Sequence, residues 1–167
     1  MARKSLTITL YMSELIYDFQ NKAFLTGRSR RAADMDAEAA SNIQASDDDE
    51  DKNQALRSIQ NAYSQLLVEL SESVSTNDGT TATNELIDGN TNIIINLSLP
   101  SNYPLALKDA LTSSIHDYII NKALMDWFVI TNPNESKTYA ELSVAAIKNL
   151  HENFNRRERP SRTAPNE

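Results

Sequence analysis

The sequence predicts a mainly α fold of the α+β kind, with a four-helix core and two short β-strands. Four segments place apolar residues at the three- and four-residue steps of a helix. Two shorter segments alternate apolar and polar residues, as strands do. With 167 residues, the chain is near the common size of one domain. We therefore expect one helical domain over residues 1–155, with flexible loops at 28–53 and 75–90, and a basic, extended tail at 156–167.

Composition and charge narrow the classes of protein that the chain could be. Its 16 lysines and arginines face 23 acidic residues, so a generally basic nucleic-acid-binding surface is not expected. Because the chain has no cysteine, disulfides, thiolate catalysis and cysteine-ligated metals are excluded. The sequence contains neither the apolar region of a signal peptide nor a stretch long enough to span a bilayer. We expect a soluble protein made in the cytoplasm, with no membrane partner.

Alternation predicts the two strands at Ser5–Tyr11 and Asn92–Leu99. Two strands alone are marginal unless they pair with each other or with another molecule, and the sequence leaves both arrangements open. Pairing across subunits would build a shared sheet. In that case Leu6, Ile8 and Ile94 are candidate interface residues.

A first helix is predicted at Ser13–Thr26. Ser13 is a suitable N-cap, and Glu14 lies in the first turn, where the helix dipole favours an acid. Gly27 follows where a C′ residue in left-handed geometry would lie. The helix has an apolar stripe of Ile16, Phe19 and Ala23, with Tyr17 and Phe24 beside it.

Between the first two long helices the sequence is poor in large apolar residues. The stretch up to Ala45 has helix propensity but little with which to pack on a core. The acidic run Asp47–Asp51 lacks the glycine and the final glutamate of a calcium loop, since Lys52 and Ser58 occupy those positions. We therefore predict a solvated, flexible loop there and no metal site.

The clearest amphipathic helix is predicted at Gln54–Val74, where seven apolar residues keep helical spacing. The next segment, Ser75–Asn90, is rich in small polar residues and contains two Asp-Gly turn signals. Its length indicates a mobile surface loop or an arm.

The longest helical pattern is Tyr103–Ile130, which contains the single tryptophan, Trp127. From Tyr118 onwards apolar residues cover nearly the whole circumference, so this half should be enclosed on more than one side. Two readings follow. It is the central helix of the core, or it also packs on a neighbouring subunit through surplus apolar surface at Leu124, Trp127 and Phe128.

A last helix is predicted from about Thr138 to Phe154, after a break at Asn132-Pro133. Thr138 and Glu141 have the spacing of a capping box. The tail that follows is basic, and we expect a charged protein contact or solvated side chains from Arg156, Arg157 and Arg159.

The sequence offers little for catalysis. His116 and His151 lie on different predicted helices, and Asp117 beside His116 is not on the same helix face. Phosphate-binding glycine loops, nucleophile elbows and metal-binding helix motifs do not occur. We expect no enzyme activity, no cofactor and no bound metal.

Several segments resemble one group of proteins. They are the run from Leu99 to Pro104, the segment Ala123–Phe128, the early run Phe24–Arg28 and the basic tail from Arg156 to Pro160. Together they are similar to small structural proteins from the neck and tail gene cassettes of Bacteroides-type phages and prophages. More distantly, a proline-started helix that ends near a tryptophan resembles the helical head–tail connector, or adaptor, proteins of tailed phages.

This resemblance implies a virion structural protein of the head–tail junction or tail, made in the cytoplasm of a bacterial host. Such proteins form homo-oligomeric rings that contact the portal or other neck and tail proteins. DNA passes nearby at most, without sequence-specific binding. The alternative function is a soluble helical protein-binding module, an assembly chaperone or a regulator, that grips its partner through the long helix.

Overall fold

The computed structural model describes residues 3–31, 37–46, 48–74, 79–86 and 89–159. It confirms a mainly α fold with a small antiparallel sheet. The described residues form five helices, one more than expected, because a short helix lies between the first two long ones. In chain order the elements are β1 (Arg3–Leu10), α1 (Met12–Arg31), α2 (Ala37–Ile43), α3 (Asp49–Glu69), β2 (Ile93–Pro100), α4 (Lys108–Thr131) and α5 (Pro133–Phe154).

The two strands pair with each other within the chain. They run antiparallel, with Leu6 opposite Leu97 and Ile8 opposite Ile95. Alternation sends Leu6 and Ile8 to the inner face, where both are buried. Their prediction as subunit contacts is therefore wrong, because the core of the same chain already covers them. Ile94, on the outer face, stays 36% exposed.

The long helix α4 is the centre of the core. It contacts α1, α2, α3, α5 and β1, and a 3₁₀ turn at Leu105–Leu107 leads into it. Most of its apolar second half is enclosed within the chain, since Leu124 and Phe128 are fully buried and Trp127 is 6% exposed, whereas its last two residues, Val129 and Ile130, are exposed. The predicted surplus apolar surface at these three buried residues does not exist. The core reading of this helix is the correct one.

Trp127 shows how tightly this half of α4 is held. Its ring packs edge-on against Phe19 of α1, with the ring centroids 5.8 Å apart. Its indole nitrogen donates a hydrogen bond to the carbonyl oxygen of Ile43, at the end of α2, at 3.0 Å. Phe128 lies 5.1 Å, centroid to centroid, from Tyr139 of α5. Trp127 thus joins α4 to α1 and α2, and Phe128 joins it to α5.

Several predicted helix ends are wrong, among them both ends of α3, which runs over Asp49–Glu69 and not over Gln54–Val74. Helix α1 continues through Gly27 to Arg31, and Gly27 is buried inside it instead of capping it. Helix α5 begins at Pro133, not near Thr138, because the Asn132 side chain accepts a hydrogen bond from the backbone N–H of Asn134 and caps it. A single residue therefore connects α4 to α5, and the two helices form a tight hairpin.

The acidic run is largely part of α3 and not a loop. Asp47 lies outside the described residues, but Asp49, Glu50 and Asp51 form the first turn of α3, where the helix dipole favours negative charge. The Asp51 carboxylate also accepts hydrogen bonds from the backbone N–H and the hydroxyl of Ser46, at 2.8 and 2.7 Å. The charges that suggested a solvated loop are thus the start signal of a helix.

The segment predicted as a mobile arm is anchored where the structure describes it. Residues 75–78 and 87–88 lie outside the described residues. Between them the Tyr63 hydroxyl donates to the carbonyl of Thr81 at 2.8 Å, and the Gln60 amide donates to the carbonyl of Thr83. Both bonds tie the segment to α3.

Candidate protein-binding surface

Helix α1 is apolar on two sides. Its inner side, with Leu15, Phe19 and Ala23, is fully buried in the core. Its outer side carries Tyr17, Phe24 and Leu25, which are 66%, 45% and 50% exposed. Tyr17 and Phe24 are seven positions apart, so they lie two turns apart on one face of the helix. The outer side of α1 is therefore a candidate protein-binding surface.

A groove between α1 and α5 extends this surface. It has a volume of about 350 Å³ and is lined by Leu25 and Thr26 of α1 and by Tyr139 and Leu142 of α5, among others. The hydroxyls of Thr26 and Tyr139 lie 3.2 Å apart, within hydrogen-bonding distance, and the Thr26 hydroxyl also donates to the carbonyl of Lys22 at 2.8 Å. Leu142 is 45% exposed on the far wall. The groove combines the apolar side chains of Leu25 and Leu142 with polar groups, among them Lys22, Ser29 and Asn121.

A second, shallower depression of about 260 Å³ lies on the other flank of α1. Tyr17 and Phe24 line it together with Gln20 and Ala45. The Gln20 amide donates to the carbonyl of Ser46 at 3.1 Å and so fixes the segment that forms its far side. We use "α1 surface" for Tyr17, Phe24, Leu25 and Leu142, which border these two hollows.

An ion pair holds the scaffold of the α1 surface. The Arg30 guanidinium binds the Glu135 carboxylate and connects the end of α1 to the start of α5. The Glu135 side chain is only 8% exposed, whereas that of Arg30 is 45% exposed. A buried carboxylate without a partner costs free energy, so this pair favours one relative position of the two helices.

The candidate interface residues lie apart from one another. Leu124, Trp127, Phe128, Leu6 and Ile8 are in the core, while Ile94 lies on the outer face of the sheet. The described tail arginines are exposed and lie beyond the end of α5. Residues 160–167, the remainder of the predicted tail, lie outside the described residues. The interface role of Arg156, Arg157 and Arg159 stays a prediction.

The tail begins on a defined path. The backbone N–H of Glu158 donates to the carbonyl of Asn102 at 2.8 Å, and the Glu158 carboxylate lies 3.9 Å from the Lys4 ammonium. The Arg157 guanidinium donates to the carbonyls of Phe154 and Arg156. The tail arginines therefore lie beside the turn that precedes α4 and the start of β1.

Each histidine pairs with a carboxylate from another helix. His116 Nε2 lies 3.2 Å from an oxygen of Asp18, and His151 Nε2 lies 3.4 Å from an oxygen of Glu69. Asp117, the sequence neighbour of His116, is not its partner. In the part of the chain that the structure describes, no three histidine, aspartate or glutamate side chains come together as metal ligands would.

Sequence reasoning missed the α1 surface, although a signal was present. Tyr17 and Phe24 lie beside the stripe of Ile16, Phe19 and Ala23, which makes the apolar arc of this helix wider than one core contact needs. Such width indicates a second contact. The sequence cannot say which edge of the arc the core will cover.

None of the helices within the described ranges is long and apolar enough to cross a membrane.

Comparison with known proteins found no relative of the chain. No family model matches the chain, and neither the curated proteins nor the solved structures contain a significant match to it.

Proposed function

We propose that the chain is a non-catalytic structural protein of a tailed-phage particle, located at the head–tail junction or in the tail, and that it assembles through the α1 surface. The observation that carries the proposal is the group of large apolar side chains that α1 and α5 leave exposed, Tyr17, Phe24, Leu25 and Leu142. The similarity of four sequence segments to phage neck and tail proteins supports the location.

The α1 surface has the character of an interface centre. Aromatic residues are enriched at such centres, and contiguous apolar patches on soluble proteins mark contacts with other molecules. Complete burial of one large apolar side chain contributes about 1.5–3 kcal/mol. The half-exposed side chains of this surface therefore leave substantial free energy to be gained on assembly.

A ring is the expected form of the assembly. A closed ring uses two different patches of each subunit, so that the α1 surface of one copy meets another face of its neighbour. The exposed apolar residues Val129 and Ile130 at the end of α4, which are 57% and 75% exposed, are a candidate for that second face. Portal or other neck and tail proteins would contact the ring above and below.

Mass spectrometry of purified phage particles tests the location. We expect the protein at a copy number comparable with that of the other neck or tail components. Its absence from particles, together with its presence in assembly intermediates, would replace the structural role with that of an assembly chaperone.

A paired substitution tests the surface. Phe24→Ser should abolish incorporation into particles without lowering the melting temperature appreciably, because the side chain is 45% exposed. Val68→Ser on α3 is the matched control, since Val68 is 73% exposed and lies outside the α1 surface. Equal incorporation of the two variants would remove the α1 surface from the proposal.

A further inference from the structure

The two edges of the small sheet differ. The outer edge of β2 is covered, because Ser98 N–H donates to the carbonyl of Ser73 at 2.7 Å, and Thr81 N–H donates to the carbonyl of Ile94 at 2.8 Å. The N–H of Ile94 in turn donates to the hydroxyl of Thr81 at 2.8 Å. The segment that precedes β2 therefore closes this edge.

These bonds also fix the direction of the groups on β1. In an antiparallel pair, residues alternate between those that bond to the partner strand and those that direct their N–H and C=O away from it. Since Ile94 and Ser98 point away from β1, their partners Thr9 and Ser5 point away from β2, as does Thr7 between them. None of the described residues donates to or accepts from these outward backbone groups.

The open edge of β1 lacks the usual protection. Natural edges carry a proline, a bulge or a charge near their middle, whereas β1 pairs over eight residues without interruption, and its central residues are Ser5 to Thr9. The side chains of Ser5, Thr7 and Thr9 are exposed. Charged residues occur only at the start, at Arg3 and Lys4, and Lys4 is turned to the carbonyl of Tyr103 at 2.8 Å.

The strand is complementary to itself. If two copies of β1 pair antiparallel about Thr7, then Thr7 faces Thr7 of the partner subunit and Ser5 faces Thr9 of the partner subunit. Small hydroxyl side chains opposite one another are favourable cross-strand pairs. Three bonded pairs would add roughly six backbone hydrogen bonds and join the two sheets into one of four strands.

The charges near the two ends of β1 also favour antiparallel pairing of two copies. A pocket of about 340 Å³ borders the far end of β1 and is lined by Thr9, Tyr11, Glu14, Asp109 and His116, among others. Glu14 and Asp109 are exposed. Antiparallel pairing brings the exposed Arg3 of each copy to the acidic pocket of the other. Parallel pairing would instead place the two basic ends side by side.

We propose that the free protein forms a two-fold dimer in which the open edges of β1 pair antiparallel. The inference does not rest on the proposed virion role, because it uses only the sheet and its surroundings. A two-fold pair is isologous and cannot by itself close a polar ring. The β1 dimer is therefore a contact distinct from the polar ring contacts of the proposed function, which use the α1 surface and the end of α4.

Charge exchange at the symmetry axis is the first test. Thr7→Asp and Thr7→Lys each place two like charges opposite one another and should raise the dimer dissociation constant about tenfold or more. An equimolar mixture of the two variants should dimerise again, since the charges then attract. Light scattering coupled to size-exclusion chromatography measures all three samples, and circular dichroism checks that each variant is folded. A wild-type monomer at about 100 μM, or unchanged dimers in both variants, would overturn the proposal.

Crosslinking tests the geometry, and the absence of native cysteine makes it unambiguous. Thr7→Cys should be joined to its partner by a short bismaleimide reagent. Ser98→Cys, on the neighbouring strand, is the matched control, because in the paired sheet its two copies would lie roughly 20 Å apart. Equal crosslinking of both, or none at Thr7→Cys, would contradict the arrangement. Neither result bears on the presence of the protein in phage particles.

Discussion

The second half of α4, up to Phe128, and the outer side of α1 are both rich in apolar residues, yet only the outer side of α1 is exposed. Trp127 and Phe128 on α4 are 6% and 0% exposed, whereas Tyr17 and Phe24 on α1 are 66% and 45% exposed. A helix that is apolar all round is buried by its own chain. On α1 the apolar arc is wider than the contact with the core, and the excess stays exposed.

The chain connections explain why the apolar side chains of α4 are covered as far as Phe128. Asn132 alone separates α4 from α5, so α5 folds straight back along the helix. Helix α3 covers a second side, while α1 and α2 close over Trp127. Helix α1, by contrast, has the core on one side and only the small α2 on part of the other.

The largest expected effect comes from Trp127→Ala. Removing this ring leaves a cavity beside Phe19 and leaves the Ile43 carbonyl without its donor. The free energy of unfolding should therefore fall by about 3–5 kcal/mol. Chemical denaturation measures the change. A loss below about 1 kcal/mol would mean that Trp127 is not a core residue in solution.

Leu111→Ala is the control that separates core from interface. A subunit contact at Leu124, Trp127 and Phe128 would make Trp127→Ala impair assembly more than Leu111→Ala at equal stability cost. Since both residues are buried in one core, we now expect equal assembly once the folded fractions are matched. A specific assembly defect in Trp127→Ala would restore a subunit contact at this end of α4.

Periodicity predicted most elements of the fold, because strand alternation and helical apolar spacing are properties of the local sequence. Strand alternation and the apolar spacing of the long helices identified the elements that form the core. Periodicity did not predict where helices begin and end, because two local signals were misleading. Gly27 reads as a helix end, yet the helix continues past it to Arg31, and the acidic run reads as a loop, yet it starts α3.

The missing information at both places is tertiary. Beyond Gly27, Arg30 reaches a buried carboxylate 105 positions away in the chain, and at the acidic run the Asp51 carboxylate binds Ser46. The candidate contacts at Leu124, Trp127 and Phe128 are buried for the same reason, since the sequence shows how much of a helix is apolar but not how many neighbours it has. The α1 surface depends on the position of α2 and α5.

Arg30→Met is expected to cause the next largest loss of stability, and it tests how α1 is held against α5. The substitution leaves the buried Glu135 carboxylate without its partner, and we expect a loss of about 1–3 kcal/mol. The double variant Arg30→Met with Glu135→Gln should recover part of it, because no charge then remains buried. Thermal unfolding of the single and double variants provides the measurement. Equal stability of Arg30→Met and the wild type would show that the pair does not hold α1 against α5.

Asn132→Ala should weaken the turn that connects α4 to α5 in the helical hairpin. The Asn132 side chain caps α5 through the N–H of Asn134, and loss of such a cap costs about 1 kcal/mol. Asn132→Asp keeps a capping oxygen and should retain most of the stability. Urea unfolding of the two variants can distinguish them, and identical losses would indicate that the cap does not matter.

Asp126→Asn is expected to have the smallest effect and probes how well α4 is enclosed. Burial raises the pKa of the Asp126 carboxyl, an effect that nearby Lys122 partly opposes. A raised pKa means that the folded state disfavours the charged form, so the charge lowers stability above the folded pKa and has no such effect below the unfolded pKa of about 3.9. The variant should therefore melt slightly higher than the wild type at pH 7, and the difference should vanish near pH 3. A variant that melts lower at pH 7 would show that the carboxylate makes a favourable contact, and that this side of α4 is more open than its neighbours Leu124 and Trp127 indicate.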